Sequence, residues 1–381
     1  MRSASLLVLV LALLGGSAQA LPPTPRLPPP ERCEAMDGRA REACLLRARG
    51  AEAGRSRDLA RFNGAVDRYL ARLEARLLAT GEVRDQLLSA RIGAWIASRA
   101  RALDGAGSPL DGLSGFRPDE RGVLLEAVQR RGQDDALVQW MLATDALTLA
   151  YPSLRRAAIA RLLELEPDNL AARLLAVDVV LPGETLDVAA STRFDAHHYE
   201  RLRVYLEAFE RHPPSRALAR MAPDGGVEVD VLAATLAMGL WSDDATPMYQ
   251  AVVARCAPDL GGATGAPRAA CERVGRELAE RGDTVLVRGI GLAMQQRLAA
   301  SEEEVDALRA QRRTLTWQSL RSAGLTPTPA GDAARFRAWM RQVRAPGMTE
   351  IELIRSLLIE AGEPLEPPVY WRPQPQTLRR V

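Results

Sequence analysis

The residues most able to do chemistry lie in one short run, Asp195-Ala-His197-His198-Tyr-Glu200, and all three histidines of the chain fall between positions 197 and 212. Two imidazoles flanked by carboxylates can ligate a divalent metal or move protons. Asp195, His197, His198 and Glu200 are therefore the candidate metal ligands. Their spacing fits neither the two-histidine i, i+4 zinc motif nor its inverted form. The competing reading places Asp195 near a helix N-terminus, where its charge favours the dipole. Glu200 then pairs with Arg201 or Arg203, the histidines sit on the surface, and His212 lies farther along the same helix. On that reading there is no catalytic residue, no bound metal and no cofactor.

Other chemistries have less support. The chain has no lysine, so all fifty basic residues are arginine. A phosphate-loop lysine, a Schiff-base lysine and a Ser–Lys dyad are thereby excluded. No Gly-x-Ser-x-Gly elbow is present, and Gly112-Leu-Ser114-Gly115 lacks the spacing. Gly289-Ile-Gly291-Leu-Ala-Met294-Gln295 resembles the Gly-Leu-Met-Gln turn of exported transglycosylases, but the Glu-Ser pair that carries their acid occurs nowhere. That run reads instead as a packed helix whose glycines allow close approach. Arg281-Gly282-Asp283 reads as a turn, with Gly282 ending one helix and Asp283 capping the next. Ser301 and Glu304 have the spacing of a capping box.

Helices must position these residues. Leu73, Leu77 and Leu78 recur at helical spacing, as do Leu87, Leu88, Ile92, Trp95 and Ile96. The pattern continues through Leu137, Trp140, Met141 and Leu147, then Ile159, Leu162, Leu163 and Leu165. It returns in Leu202, Tyr205, Leu206 and Phe209, in Val305, Leu308, Leu315 and Leu320, and in Ile351, Ile354, Leu357 and Leu358. Alternating strand patterns are missing except for Val227-Glu228-Val229-Asp230-Val231. Pro118-Asp119, Pro167-Asp168, Pro223-Asp224 and Pro258-Asp259 close one apolar segment and open the next. The fold class is all-α: antiparallel helical hairpins, stacked as an irregular α-solenoid or as a helical bundle. Trp95, Trp140, Trp241, Trp317 and Trp339 fall on apolar faces and belong to the core.

Residues 133–181 resemble a degenerate tetratricopeptide repeat. Trp140, Leu142 and Ala143 sit on a first helix, and Ala157, Ala158 and Ala160 on a second. Leu163-Glu-Leu-Glu-Pro167-Asp-Asn169 is similar to the closing turn, and Ala171-Ala172 with Leu174-Leu175 begins the following helix. The likeness covers about one and a half units of the ~34-residue period. The Pro-Asp marks at 118, 167, 223 and 258 keep no strict period. The resemblance implies a partner-binding scaffold with a concave groove.

The two ends differ from the middle. Arg2, the apolar run from Leu6 to Leu14 and Ala18-Gln19-Ala20 have the form of a signal peptide cleaved after Ala20. Six prolines in residues 21–30 make a polyproline-like tether, and residues 363–381 are a second Pro-rich stretch around Tyr370 and Trp371. The divisions expected are 1–20 signal, 21–30 linker, 31–110 N-terminal helices, 111–300 repeat-like hairpins, 301–362 C-terminal helices and 363–381 tail. Cys33 is too far past the cleavage point for lipidation. An exported chain favours disulfides, and four cysteines permit three pairings. Local pairing gives Cys33–Cys44, which requires a turn at Asp37-Gly38, and Cys256–Cys271.

The net charge of +2 comes from arginine interspersed with Asp and Glu. Such mixing describes a solvated helical surface, not a nucleic-acid stripe. After the signal, no apolar run is long enough to span a membrane. The expectation is a non-catalytic, exported, periplasmic or secreted helical-repeat protein that binds other envelope proteins. The alternative is a periplasmic metal-dependent or hydrolytic enzyme centred on Asp195–Glu200. Tyr370 and Trp371 either fold back on the helices or anchor a partner.

Overall fold

The computed structural model describes residues 38–103, 118–179, 191–242, 249–256, 268–329 and 331–372. Residues 1–20, the stretch 21–30, Cys33, residues 112–115, Pro258-Asp259 and everything after 372 lie outside the described residues. Among the described ones every regular element is helical, and the sole β-bridge joins Asn169 to Arg193. The fold is all-α. The expected extended run at Val227–Val231 is not a strand, because helix begins at Val229 and Val231 turns into the core.

Two long helices come first, α1 (Gly38–Thr80) and α2 (Val83–Leu103), followed by α3 (Pro118–Arg131). Four shorter ones carry the middle: α4 (Ala136–Thr144), α5 (Pro152–Leu165), α6 (Leu170–Val179) and α7 (His198–Arg211). Then come α8 (Arg216–Arg220), α9 (Val229–Ser242) and α10 (Gln250–Arg255). The last five are α11 (Arg268–Arg281), α12 (Val285–Leu298), α13 (Glu302–Leu325), α14 (Ala333–Val343) and α15 (Glu350–Glu360). None of them is long and apolar enough to cross a membrane.

Chain neighbours pair: α1 packs on α2, α4 on α5, and α11 on α12, each across a short link. Side chains from the sequence close the helix ends. Asp135, Ser215, Thr284, Ser301, Asp332 and Thr349 each accept a first-turn backbone N–H. Thr349 and Glu352 form a complete capping box. In the expected box at Ser301, Glu304 instead accepts the N–H of Ala300. One contiguous apolar core runs from Phe62 of α1 to Leu353 of α15, with Trp140, Tyr205, Phe209 and Phe336 fully enclosed. Trp317 is buried, whereas Trp95, Trp241 and Trp339 are only partly covered against this core.

Cys256, at the end of α10, is bonded to Cys271 in the first turn of α11, with Cα atoms 5.5 Å apart. Closing that loop contributes about 3 kcal/mol on the chain-entropy view. Residues 361–372, beyond α15, fold back on α13. Trp317 Nε1 donates to the Pro364 carbonyl at 2.9 Å, Gln318 donates to Leu365, and the Arg313 guanidinium donates to the carbonyls of Pro368 and Trp371. Trp371 packs edge-on against Trp317 at 5.3 Å, while Tyr370 is 86% exposed. Of the two aromatics of the tail, only Tyr370 is free for contacts.

Gly289–Gln295 lies within α12 as a packed helix. A methyl group built on Gly291 would come within 2.7 Å of the Gly275 carbonyl oxygen on α11. Backbone cannot yield as a flexible side chain does. Gly291→Ala is expected to lose about 1–3 kcal/mol by urea denaturation, despite alanine's better helix propensity.

Glu74 of α1 is buried, and neither of its carboxylate oxygens has a hydrogen-bond partner. Burial pushes its carboxyl up to about 7, partly opposed by Arg121. The folded protein therefore holds a proton that the unfolded chain releases nearer the ordinary glutamate value. The stability this contributes is complete at low pH and is lost as pH rises through about 7. Glu74→Gln is expected to remove that dependence. Relative to it, the wild type should lose on the order of 3 kcal/mol between about pH 5 and about pH 8.

Candidate functional site

The site forms where four separate pieces of chain meet. The turn between α5 and α6 supplies Glu166, Asp168 and Asn169. The segment 191–197 lies along that turn: Leu170 N–H donates to the Arg193 carbonyl at 2.9 Å, and Thr192 N–H to that of Asp168 at 3.0 Å. The link between α11 and α12 contributes Asp283, whose Oδ2 accepts the Ala196 N–H at 2.8 Å. The start of α15 joins through Glu350, whose N–H donates to the Asp283 carbonyl and whose carboxylate accepts the Val285 N–H.

Asn169 is the fully buried clasp between the first two pieces. Its amide nitrogen donates to Glu166 Oε2 at 2.7 Å and to the Asp195 carbonyl at 2.9 Å. Its Oδ1 accepts the N–H groups of Asp195 at 3.0 Å and Ala171 at 3.1 Å.

His197 is the N-cap residue of α7 and holds a left-handed backbone at φ 50°. Its ring is 95% buried, edge-on to Trp140 at 5.4 Å. Nε2 lies 3.1 Å from Glu166 Oε2 and Nδ1 lies 2.6 Å from Glu200 Oε2. Asp195 Oδ2 stands 3.9 Å from Nδ1, and Arg193 pairs with Glu166, Asp168 and Asp195. Burial works against the charge on His197, but the bonds to Glu166 and Glu200 outweigh it and raise its pKa. Burial likewise opposes ionisation of Glu166, and its bonds to His197, Asn169 and Arg193 prevail and lower it. The bond from His197 lowers Glu200. The resting arrangement is an imidazolium donating one proton to each of two carboxylates.

The structure thus brings Asp195, His197 and Glu200 together, with one donor atom from each within 4.8 Å of the others. His198 lines the same hollow but stands outside that set of donor atoms. The His198 ring packs edge-on to Trp241 at 4.7 Å, its carbonyl accepts from Trp241 Nε1, and burial holds it neutral, with a pKa near 3. The expectation of surface histidines is corrected for both: the apolar wall of Trp140 and three carboxylates enclose His197, and His198 is packed against Tyr199 and Trp241. Asp195 and His212 are not on the helix: Asp195 precedes it and His212 is its C-cap. Glu200 does pair with Arg203, at 3.4 Å. Asp283 does not cap α12, since Thr284 takes that role and frees the carboxylate for Ala196. Burial lifts Asp283 to about 6.

A groove opens beside this cluster. One part, of about 590 Å³, is lined by Arg84, Leu137, His197, Glu200, Arg203 and Glu207 among others. The adjoining part, of about 520 Å³, is lined by Glu82, Val83, Arg131 and Arg211, and the two share Arg84, Asp134, Asp135, Val204 and Glu207. Two bidentate pairs fix its walls: Arg84 on Asp135 at 2.7 and 3.1 Å, and Arg211 on Asp85 at 2.6 and 2.7 Å. Spacing along the chain gave no sign of this groove, because its walls come from α2, the α3–α4 turn and α7.

Compared with known proteins, the chain matches no family model, no curated protein and no solved structure.

Asn169 offers a test of the clasp. Asn169→Ala leaves buried polar groups unpaired and is expected to lose about 2–3 kcal/mol by urea denaturation. Asn169→Asp keeps the shape and the oxygen that accepts from Asp195 and Ala171 but sets a carboxylate against Glu166. It should destabilise at least as much, whereas a side chain that only filled space would tolerate it.

Proposed function

We propose that the protein is a non-catalytic, exported binding module whose groove between α2, the α3–α4 turn and α7 holds an extended segment of an envelope protein. One observation carries the reading: two adjoining hollows share five residues and form a continuous trough of peptide size on rigid helices. Its floor is partly apolar, from Val83, Leu137 and Val204. Its rim carries carboxylates beyond those that the local arginines neutralise. Arg84 and Arg211 are committed to Asp135 and Asp85, and Arg203 to Glu200, which leaves Glu82 and Glu207 facing the trough against one further arginine, Arg131. A segment with basic side chains complements that rim. The tetratricopeptide resemblance of residues 133–181 and the signal-like N-terminus support the same reading.

Photocrosslinking in the native host tests it. A crosslinking residue replacing Glu207 is expected to capture a discrete envelope protein, and one replacing exposed Arg309 on α13 is not. Adding Glu82→Arg, which reverses a rim carboxylate, should abolish the capture. Equal capture from both positions, or none from the groove, would overturn the proposal. Export is tested separately by N-terminal sequencing of the protein from the host, which should begin at Leu21.

A further inference from the structure

We propose that Asp195, His197 Nδ1 and Glu200 form a binding site for one divalent transition-metal ion of the zinc class, in a hollow that the buried carboxylate of Asp283 also lines. The inference is independent of the groove reading, and nothing in that reading requires an ion.

Geometry is the first argument. Zinc bonds of about 2.0–2.2 Å in a tetrahedron separate donor atoms by roughly 3.4 Å. The present separations from Nδ1, 2.6 Å to Glu200 and 3.9 Å to Asp195, bracket that value. All three donor atoms lie within 4.8 Å of one another, so side-chain movements of about 1 Å would seat an ion, and Glu200 on the half-exposed side is held besides His197 only by Arg203.

The outer arrangement is the second. A metal-bound histidine keeps its ring oriented by donating its other N–H to a carboxylate. His197 Nε2 already faces Glu166, and Glu166 is itself held by Asn169 and Arg193. Coordination through Nδ1 would displace only the proton now donated to Glu200, which passes to solvent. The bond to Glu166 stays in place.

The third argument comes from Asp283. It is 94% buried, and its Oδ1 has no hydrogen-bond partner although Oδ2 is bonded to Ala196. A half-satisfied buried carboxylate is costly unless something occupies the free oxygen. Asp283 lines the same pocket of about 250 Å³ as Asp195, His197 and Glu200. That volume leaves room for an ion and a water. Once His197 has given up its Nδ1 proton, the carboxylates Glu166, Asp195, Glu200 and Asp283 outnumber Arg193, Arg201 and Arg203.

The test uses the full mature chain, stripped with a chelator and then titrated with cobalt(II) and zinc(II). Calorimetry is expected to show one equivalent bound, and cobalt to give the visible absorption of a nitrogen–oxygen site. Glu200→Gln and Asp195→Asn, both at half-exposed positions, should each weaken binding about tenfold or more while circular dichroism stays unchanged. Asp283→Asn should weaken it less, by a few-fold. Absence of binding to the folded wild type at millimolar cobalt would overturn the proposal. So would binding that is unaltered in both Glu200→Gln and Asp195→Asn.

Discussion

A charged imidazole cannot sit in an apolar wall unless carboxylates meet both of its nitrogens, and His197 is met on both sides. Glu166 arrives from the end of α5 and Glu200 from the first turn of α7. The Glu166 bond therefore holds the segment before α7 to the α5–α6 turn by electrostatics as well as packing. That segment carries the left-handed residue that starts α7, and α7 forms one wall of the groove. Asp283 and Glu350 then bind the α11–α12 link and α15 to the same spot. The candidate metal site, the groove wall and the joint between the middle and C-terminal helices therefore depend on one bridge.

Arginine suits this design. Its planar fork makes two bonds to one carboxylate, as Arg84 does to Asp135 and Arg211 to Asp85, and its charge survives burial, as in the Arg91–Asp145 pair at 2.5 Å. Lysine, with a single point of contact, could not fix helix ends in the same way. The Arg91 pair ties α2 to the residue that ends α4 and caps the following turn, Asp145. The buried Arg91 pair thus fixes where the end of α4 meets α2.

The helices were legible from the sequence because the apolar spacing of residues such as Leu87, Leu88, Ile92 and Ile96 matches faces that are in fact buried. So was the Cys256–Cys271 bond, since a short link leaves the two ends close. Within the site, Asp195, His197 and Glu200 stood out through their nearness in sequence. Glu166 and Asp283 did not, because the chain brings them from 31 and 87 residues away. Nor does sequence reveal that His197 adopts a left-handed backbone, which no neighbouring glycine announces. Val227–Val231 misled because its alternation of valine and acid is equally compatible with a loop leading into a helix first turn.

The most direct measurement is a double-mutant cycle between His197 and Glu166, read by urea unfolding. His197→Asn suits it because asparagine accepts the left-handed conformation, and the backbone contribution cancels across the cycle. If the bridge organises the site, His197→Asn, Glu166→Gln and the double variant should give a coupling of about 2–3 kcal/mol. A coupling below about 0.5 kcal/mol, the level of independent sites, would contradict the account. His197 would then be an enclosed ring on which nothing else depends.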